Sequence, residues 1–332
     1  MFFIPFPLAF SVCKNLRMLH NSIFHQNENV MKTSKKKTTG DIAEMVTAMI
    51  IAKLEEGVIP WKKPWKNGVL PQNFLTKKIY RGINLLILHS FGHELPYYLT
   101  FKQVQSMGGK VKKGATSIPI TYWNYYYKQK GSGKRISDIE AMQIDHALVV
   151  KTAFLKYYRV FNVGDCDELD LSGLENTNLG NKPKIDLCEE IVGTMPDPPK
   201  ISNSGSEAYY SPLTDEVCIP AISKFDSSEA YYNVLFHELV HATGHVSRLN
   251  REGVSVNQGF GSEVYSKEEL IAEIGAGILS GYAGISDEKL LSNSAAYIQA
   301  WLEKLRSDKN LIFEASGKAQ KAVDYILDIC PF

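Results

Sequence analysis

The run DIAEMVTAMIIAKLEEG, residues 41–57, places Ile42, Met45, Val46, Met49, Ile50 and Leu54 at helical spacing before Gly57, which predicts an amphipathic helix. Beyond it the apolar runs shorten. They are separated by Pro60, Pro64, Pro71, Gly82, Gly92, Pro96 and the adjacent Gly108 and Gly109, the punctuation of short strands and turns. INLLIL at 83–88 reads as a buried element. KKGATSIPITYWNYYYKQKGSGKR at 112–135 reads as strands ending in a flexible hairpin near Gly131 to Gly133, and LKYYRVFNVGDC at 155–166 as a closing strand. This half is expected to be α+β.

From 167 to 182 the segment DELDLSGLENTNLGNK is polar and acidic, the composition of a linker. After it comes an amphipathic stretch, KIDLCEEIVGTM at 184–195, and then AYYSPLTDEVCIP at 208–220, two short strands about a turn at Pro212 to Asp215. Four helical patterns follow: SEAYYNVLFHELVHATGH, KEELIAEIGAGILSGYAG, SAAYIQAWLEKLRSD and SGKAQKAVDYILDI. The expected organisation is an N-terminal extension (1–38), a first domain (39–166), an acidic linker (167–182) and a second domain (183–330). The extension reads as disordered or as a mis-called start, because Met31 opens MKTSKKKTTGDIAEMV, a mobile basic arm leading into the first helix.

Length and composition narrow the class. A chain of 332 residues with 44% hydrophobic content is long enough for two ordinary domains. Cys13, Cys166, Cys188, Cys218 and Cys330 are odd in number, widely spaced and form no CxxC pair, so neither a disulfide framework nor a cysteine metal cluster is expected. The apolar N-terminus, MFFIPFPLAF, is too short to span a bilayer and lacks the basic segment that precedes a signal peptide's apolar core. A cytoplasmic protein without a membrane partner is expected.

The net charge of +1 conceals a separation. Residues 61–130 hold 12 Lys/Arg against 1 Asp/Glu, whereas residues 161–230 hold 4 against 14. The cationic stretch also carries 13 aromatic residues, including those of WKKPWK at 61–66 and YWNYYYK at 122–128. Cations that neutralise phosphate, interleaved with rings that stack on unpaired bases, are what single-stranded nucleic acid requires, and the region lacks a basic recognition helix for duplex DNA. The candidate DNA-binding residues are Trp61, Lys62, Lys63, Trp65 and Lys66 on an expected solvent-facing loop, then Tyr80, Arg81 and Asn84 in KIYRGIN. Lys112 and Lys113 are added from GGKVKKG, read as a basic hairpin tip.

FHELVHATGH at 236–245 contains HExxH. Two histidines four apart on a helix project from one face and can hold one Zn²⁺ together, with the intervening glutamate beside the metal as a general base. These are His237, His241 and Glu238. A catalytic zinc takes a third protein ligand and leaves one position open. Glu269 is assigned that role, because the neighbouring Ala272, Gly275 and Ala276 permit close approach of the helices. Glu273 is placed behind it, holding a ligand histidine in its tautomer. His245 ranks second as a ligand because Gly244 is expected to swing it away. Tyr210, Tyr265 and His245 are candidate oxyanion donors, and the 208–220 hairpin offers an edge strand to an extended peptide.

Several blocks together resemble a known family. WKKPW, P-x-N at 71–73, IYRGIN, TFKQVQSMGGKVKKG at 100–114 and YYRVFN at 157–162 resemble the N-terminal single-strand-binding domain of ArdC-type antirestriction proteins, found also at the start of plasmid TraC-type primases. FHELVHATGH, SRLNR at 247–251, YSKEELIAEIGA at 265–276, NSAAYIQAWL at 293–302 and AQKAVDYIL at 319–327 resemble that family's zincin-like metallopeptidase domain. The resemblance implies an α+β fold of two domains, the second with an HExxH helix and a small sheet. It also implies binding of single-stranded DNA entering a recipient cell, and its protection from host restriction. Carried over by position, His237 and His241 match the metal-binding histidines, Glu238 the catalytic glutamate and Glu269 the third ligand. Two functions of different class follow: a zinc peptidase that cleaves a host restriction or defence protein, or a non-catalytic shield on single-stranded DNA with a structural zinc site.

Overall fold

The computed structural model describes residues 38–62, 69–174, 183–255, 263–285 and 294–329. Its elements, in chain order, begin with α1 (Thr39–Glu55), β1 (Gln72–Asn73), α2 (Ile83–Phe91), β2 (Tyr97–Thr100), α3 (Phe101–Ser106), β3 (Lys110–Val111), β4 (Ile118–Gln129), β5 (Arg135–Ile136), α4 (Asp138–Gln143), β6 (Val149–Asn162) and β7 (Cys166–Asp167). The second half contributes α5 (Lys184–Thr194), β8 (Lys200–Asn203), β9 (Tyr209–Ser211), β10 (Glu216–Ile219), α6 (Ser228–Ala242), α7 (Glu252–Ser255), α8 (Glu263–Ala283), α9 (Ser294–Ser307) and α10 (Leu311–Ile326). The fold is α+β, as expected. Among the described residues no helix is long and apolar enough to cross a membrane.

The first half is built on a five-stranded sheet of order β1-β2-β6-β4-β5. Its backbone is the long antiparallel pair β4/β6, in register from Ile118 opposite Val160 to Gln129 opposite Val149. At the root of this pair Ile118, Ile120 and Val160 are buried, packing with α2, whose INLLIL run is buried throughout except at Asn84. The second half has a three-stranded sheet, β8-β10-β9, and a helical layer in which α8 packs between α6 and α10. β8 was not anticipated: KISN has no alternation of apolar and polar positions to mark it.

One core runs through both halves. Val46, Ile50, Leu86, Tyr98 and Val160 belong to the same buried cluster as Phe236, Ile274, Trp301 and Val323. A smaller cluster gathers Phe74, Tyr97, Leu99, Val104, Val163 and Cys166. Leu169, Leu171 and Leu174, in the segment read as linker, pack against that smaller cluster; residues 175–182 lie outside the described ones.

This shared core corrects several binding assignments. Trp61 does not sit on a solvent-facing loop: it is 2% exposed, its indole N–H donates to the Tyr297 hydroxyl at 3.1 Å, and its ring meets Trp301 edge-on. Tyr80 is buried against Tyr98. Arg81 is ion-paired with Asp324 of α10, beside the Gly82 N–H that donates to Gln320 Oε1 at 2.9 Å. Asn84 bridges α2 to β4, its amide donating to the Thr121 carbonyl at 2.6 Å and accepting from the Thr121 N–H at 2.8 Å. The four residues expected to contact DNA here pack in the core or tie elements of it together. GGKVKKG is not a hairpin tip either: Lys110 and Val111 form β3, paired with β7, and Lys112 donates to the Gly164 carbonyl at 2.8 Å, leaving Lys113 exposed. Lys63, Trp65 and Lys66 lie outside the described residues.

Candidate metal centre

α6 starts where the Ser227 hydroxyl accepts from the Ala230 N–H at 3.1 Å, a side-chain N-cap. Tyr232, Leu235, Phe236, Leu239 and Val240 bury its apolar face. His237 and His241, four apart, are consequently held side by side on a partly exposed face, with their Nε2 atoms 3.1 Å apart. Glu269, from α8, brings one carboxylate oxygen to 3.5 Å from His237 Nε2 and the other to 3.5 Å from His241 Nε2. Among the described residues these three form the one group of His, Cys, Asp or Glu side chains whose ligand atoms converge in this way.

The convergence depends on how closely α8 approaches its neighbours. A Cβ added at Gly275 would lie 2.7 Å from Val240 Cγ2, and one at Gly277 would lie 2.1 Å from the Trp61 carbonyl oxygen. Both are below any real van der Waals contact, so glycine at these positions sets the helix separation. The expectation of a small-residue face opposite HELVH is met at Gly275; the contact at Gly277 reaches into the first half of the chain.

The carboxylate behind the histidines is not the one expected. Glu273 pairs with Lys62 Nζ at 3.2 Å, on the side of α8 that faces the Trp61–Lys62 turn. The partner of His241 is Glu268, whose Oε1 lies 3.4 Å from His241 Nδ1. Glu268 is itself gripped by Arg251, through Nη2 at 2.6 Å and Nε at 3.0 Å. Arg251 also donates to the Val240 carbonyl and the Thr243 hydroxyl, each at 2.7 Å, and so closes the C-terminus of α6, where a cation is favoured. Sequence reasoning missed Arg251 although SRLNR was singled out, because its role depends on the chain turning back after α6.

Electrostatics follow from this crowding. Burial alone would lower the His241 pKa, but hydrogen bonds with Glu268 and Glu269 outweigh it and raise the imidazole to about 10. Burial likewise works against both carboxylates. Glu269 is nevertheless held below the ordinary carboxylate range by His237 and His241, and Glu268 is held low by His241 and Arg251. Glu268 is offset by Arg251, and Glu269 favours a positive charge at the two histidines, where a metal ion would take the place of the imidazolium proton.

The residues fit a metal ion. Ligand bonds of about 2.0–2.1 Å at tetrahedral angles place two nitrogen donors roughly 3.3 Å apart, close to the observed spacing of the two Nε2 atoms and the Glu269 oxygens. Three protein donors of this kind leave a fourth position for water or substrate. Glu238, between the two histidines, is 8% exposed.

The remaining candidates are placed less directly. His245 turns to Ser247, with Nδ1 2.8 Å from its hydroxyl, and takes no part in the donor group. Tyr210 donates to Asp215 at 2.7 Å, while Asp215 is ion-paired with Arg248, whose side chain has no exposed surface. Burial would raise the Asp215 pKa, but Arg248 and Tyr210 outweigh it and lower it. This network fastens the β9–β10 turn to the segment after α6. β9 pairs only with β10 among the described strands, so its outer edge is unpaired by any of them. The Tyr265 side chain lies outside the described residues.

Comparison with known proteins gives a consistent picture. A family described as the N-terminal domain of anti-restriction factor ArdC matches residues 40–161, and one described as a zincin-like metallopeptidase matches residues 196–318. Two Escherichia coli proteins named DNA primase TraC are 32% and 33% identical over 314 and 293 residues, covering 92% and 86% of this chain. The chain spans only 21% and 27% of their length. A Sinorhizobium fredii protein, y4eC, is 32% identical, with 87% of this chain and 92% of that protein covered. Two crystal structures of the antirestriction ArdC protein from plasmid R388, metal-free and Mn(II)-bound, are similar at TM-scores of 0.67 and 0.66 and 32% identity. They cover 87% of this chain and 97% and 98% of theirs.

Proposed function

This chain belongs to the ArdC antirestriction family, and from that membership and the geometry of its metal centre we propose that it is a single-stranded-DNA-binding antirestriction protein of a mobile element whose zinc-dependent peptidase centre cleaves a host restriction or defence protein. The observation that carries this reading is the convergence of His237, His241 and Glu269 on one point, with Glu238 between the two histidines in the sequence of α6. A purely structural zinc site has no use for that glutamate and fills its fourth position with protein. Zinc is the proposed ion because two imidazoles and one carboxylate with an open position are the donor set of a catalytic zinc. The Mn(II)-bound structure of the R388 protein supports a divalent cation more generally. DNA as partner is supported by the cationic, aromatic first half and by the TraC relatives, which are named DNA primases.

In this reading His237, His241 and Glu269 hold the ion, which when bound supplies a Lewis acid and makes a water acidic near neutral pH. Glu268, backed by Arg251, fixes the His241 ring so that Nε2 faces the ion and Nδ1 faces the carboxylate. Glu238 accepts the proton of the attacking water as its oxygen bonds to the peptide carbon. It then delivers that proton to the departing amine as the C–N bond breaks. The edge of β9 that no described strand pairs would offer main-chain hydrogen bonds to an extended substrate.

Glu238→Gln removes the base and keeps the three donors. The variant is expected to retain metal at the parent's stoichiometry and to reduce protection of an unmodified incoming plasmid to the level of cells lacking the protein. Protection at the parent's level would contradict the peptidase reading and leave coating of the DNA as the mechanism.

A further inference from the structure

β4 and β6 extend past the sheet that roots them. β2 pairs with β6 only from Val160 to Asn162, and β5 pairs with β4 only at Tyr127 and Lys128. Between these limits the two strands form a ribbon paired with no further strand among the described residues. Its two faces differ. On one, the rings pair with each other and with cations: Tyr122 meets Tyr158 and Tyr126 meets Phe154, both at 5.8 Å, with Arg135 5.0 Å from the Tyr126 ring.

The opposite face carries Trp123, Tyr125 and Tyr127 at alternate positions of β4, across from Leu155, Ala153 and Lys151 of β6. There Trp123 is 53% exposed and Tyr125 44%, and the Lys151 ammonium lies 3.9 Å from the Tyr125 ring centroid. Large rings at such exposure on a projecting element mark an interaction surface.

We propose that this face of the ribbon is where an unpaired polynucleotide strand docks, its bases stacking on Trp123 and Tyr125 and its phosphates meeting Lys151, with the ribbon's other cations adding to the attraction at longer range. Charge selects the partner. Residues 121–136 and 149–160 hold 7 Lys/Arg and no Asp/Glu, which suits a polyanion and repels a basic one. Spacing selects its form. Alternate residues on a strand are about 6.8 Å apart, roughly twice the 3.4 Å step between successive bases along one strand of a duplex. Bases that engage both rings are therefore drawn apart from one another, which a single strand tolerates and a duplex does not. The proposal rests on the DNA-binding reading above and moves its stacking contacts away from Trp61 and Tyr80, which are buried in the core.

The test measures binding of the full chain to a 20-nucleotide oligothymidylate and to a duplex of the same length across a salt series. Variants are Trp123→Ala, Tyr125→Ala, Trp123→Phe and Lys151→Ala, with thermal unfolding recorded for each. Both rings are exposed, so parent-like unfolding is expected. Loss of either ring is expected to weaken single-strand binding roughly 5- to 150-fold, the range of one base–ring stack, with the salt slope unchanged. Trp123→Phe should recover most of the loss. Lys151→Ala should instead lower the salt slope by about 0.7.

If the parent binds the single strand and the ring variants bind equally well, the ribbon assignment is wrong and the DNA-binding reading stands. If the parent fails to bind the single strand, both fall. If the ring variants lose self-association while DNA binding is unchanged, the face joins copies of the chain and the proposal is overturned.

Discussion

At the scale of single residues, Glu268 shows how one buried carboxylate can set a ligand's geometry. A neutral imidazole has one nitrogen to give to a metal, and the hydrogen bond at the other decides which one it is. His241 has Glu268 at Nδ1, so its Nε2 is the nitrogen turned toward Glu269 and His237. Glu268 is held charged in a nearly closed site by His241 and by Arg251, whose Nη2 and Nε both donate to it. Glu268→Gln is expected to keep the fold, since an amide can still accept from Arg251, and to weaken zinc affinity about 10- to 100-fold, as read by competition with a chelating dye. Unchanged affinity would mean that helix packing alone orients the ring. The sequence showed the three acids of KEELIAE and their helical spacing. It could not show which of Glu268 and Glu273 faces His241, because that depends on the rotation of α8 about its own axis.

At the scale of elements, that rotation is fixed by glycine. Gly275 lets α8 rest against Val240, and the same contact brings Glu269 within reach of both histidines. Gly275→Ala is expected to cost about 1–3 kcal/mol of stability, as overpacking does, and to lower metal affinity by moving α8 away. Val240→Ala in the same chain should restore part of both losses, because it removes the methyl groups the new Cβ would strike. Urea unfolding and metal titration of the two single variants and the double variant check this; additive losses would show that the contact does not set the helix distance. Most elements were legible from periodicity: α1, α5, α6, α8, α9, α10, the β4 and β6 strands and the β9–β10 turn; INLLIL was read as buried, and its nearly unbroken apolar run gave no period to mark α2 as a helix. Those that were missed are short. β8 and β3 exist because a partner strand receives them, at β10 and β7 respectively, and local sequence carries little trace of such pairing.

At the scale of the whole molecule, the two halves that differ so sharply in charge share one core. Trp61 and Lys62 come from the basic half, yet they meet Tyr297, Trp301 and Glu273 of the other. Arg81 and Gly82 meet Asp324 and Gln320 in the same way. These contacts place Trp61 and Tyr80 inside the core and tie Arg81 and Asn84 to other elements, while the residues of the metal assignment come together. HExxH carries its geometry locally in one helical turn, and Glu269 lies on a helix whose small residues announce close packing. An aromatic or cationic residue has no such local signature of whether it faces solvent or a distant helix. Trp61 and Tyr80 are buried, Arg81 and Asn84 are engaged with other elements, and among the described residues of the first half the ribbon sets the exposed rings of Trp123 and Tyr125 among cations.

One divalent ion is proposed to sit on His237, His241 and Glu269, and this occupancy underlies the peptidase reading. It is tested most directly by the metal content of the purified chain and of its Glu238→Gln and Glu269→Ala variants, after dialysis against a single limiting concentration of zinc. One zinc per chain is expected in the parent and in Glu238→Gln, and substoichiometric zinc in Glu269→Ala with thermal unfolding otherwise preserved. One zinc per chain retained by Glu269→Ala would contradict it.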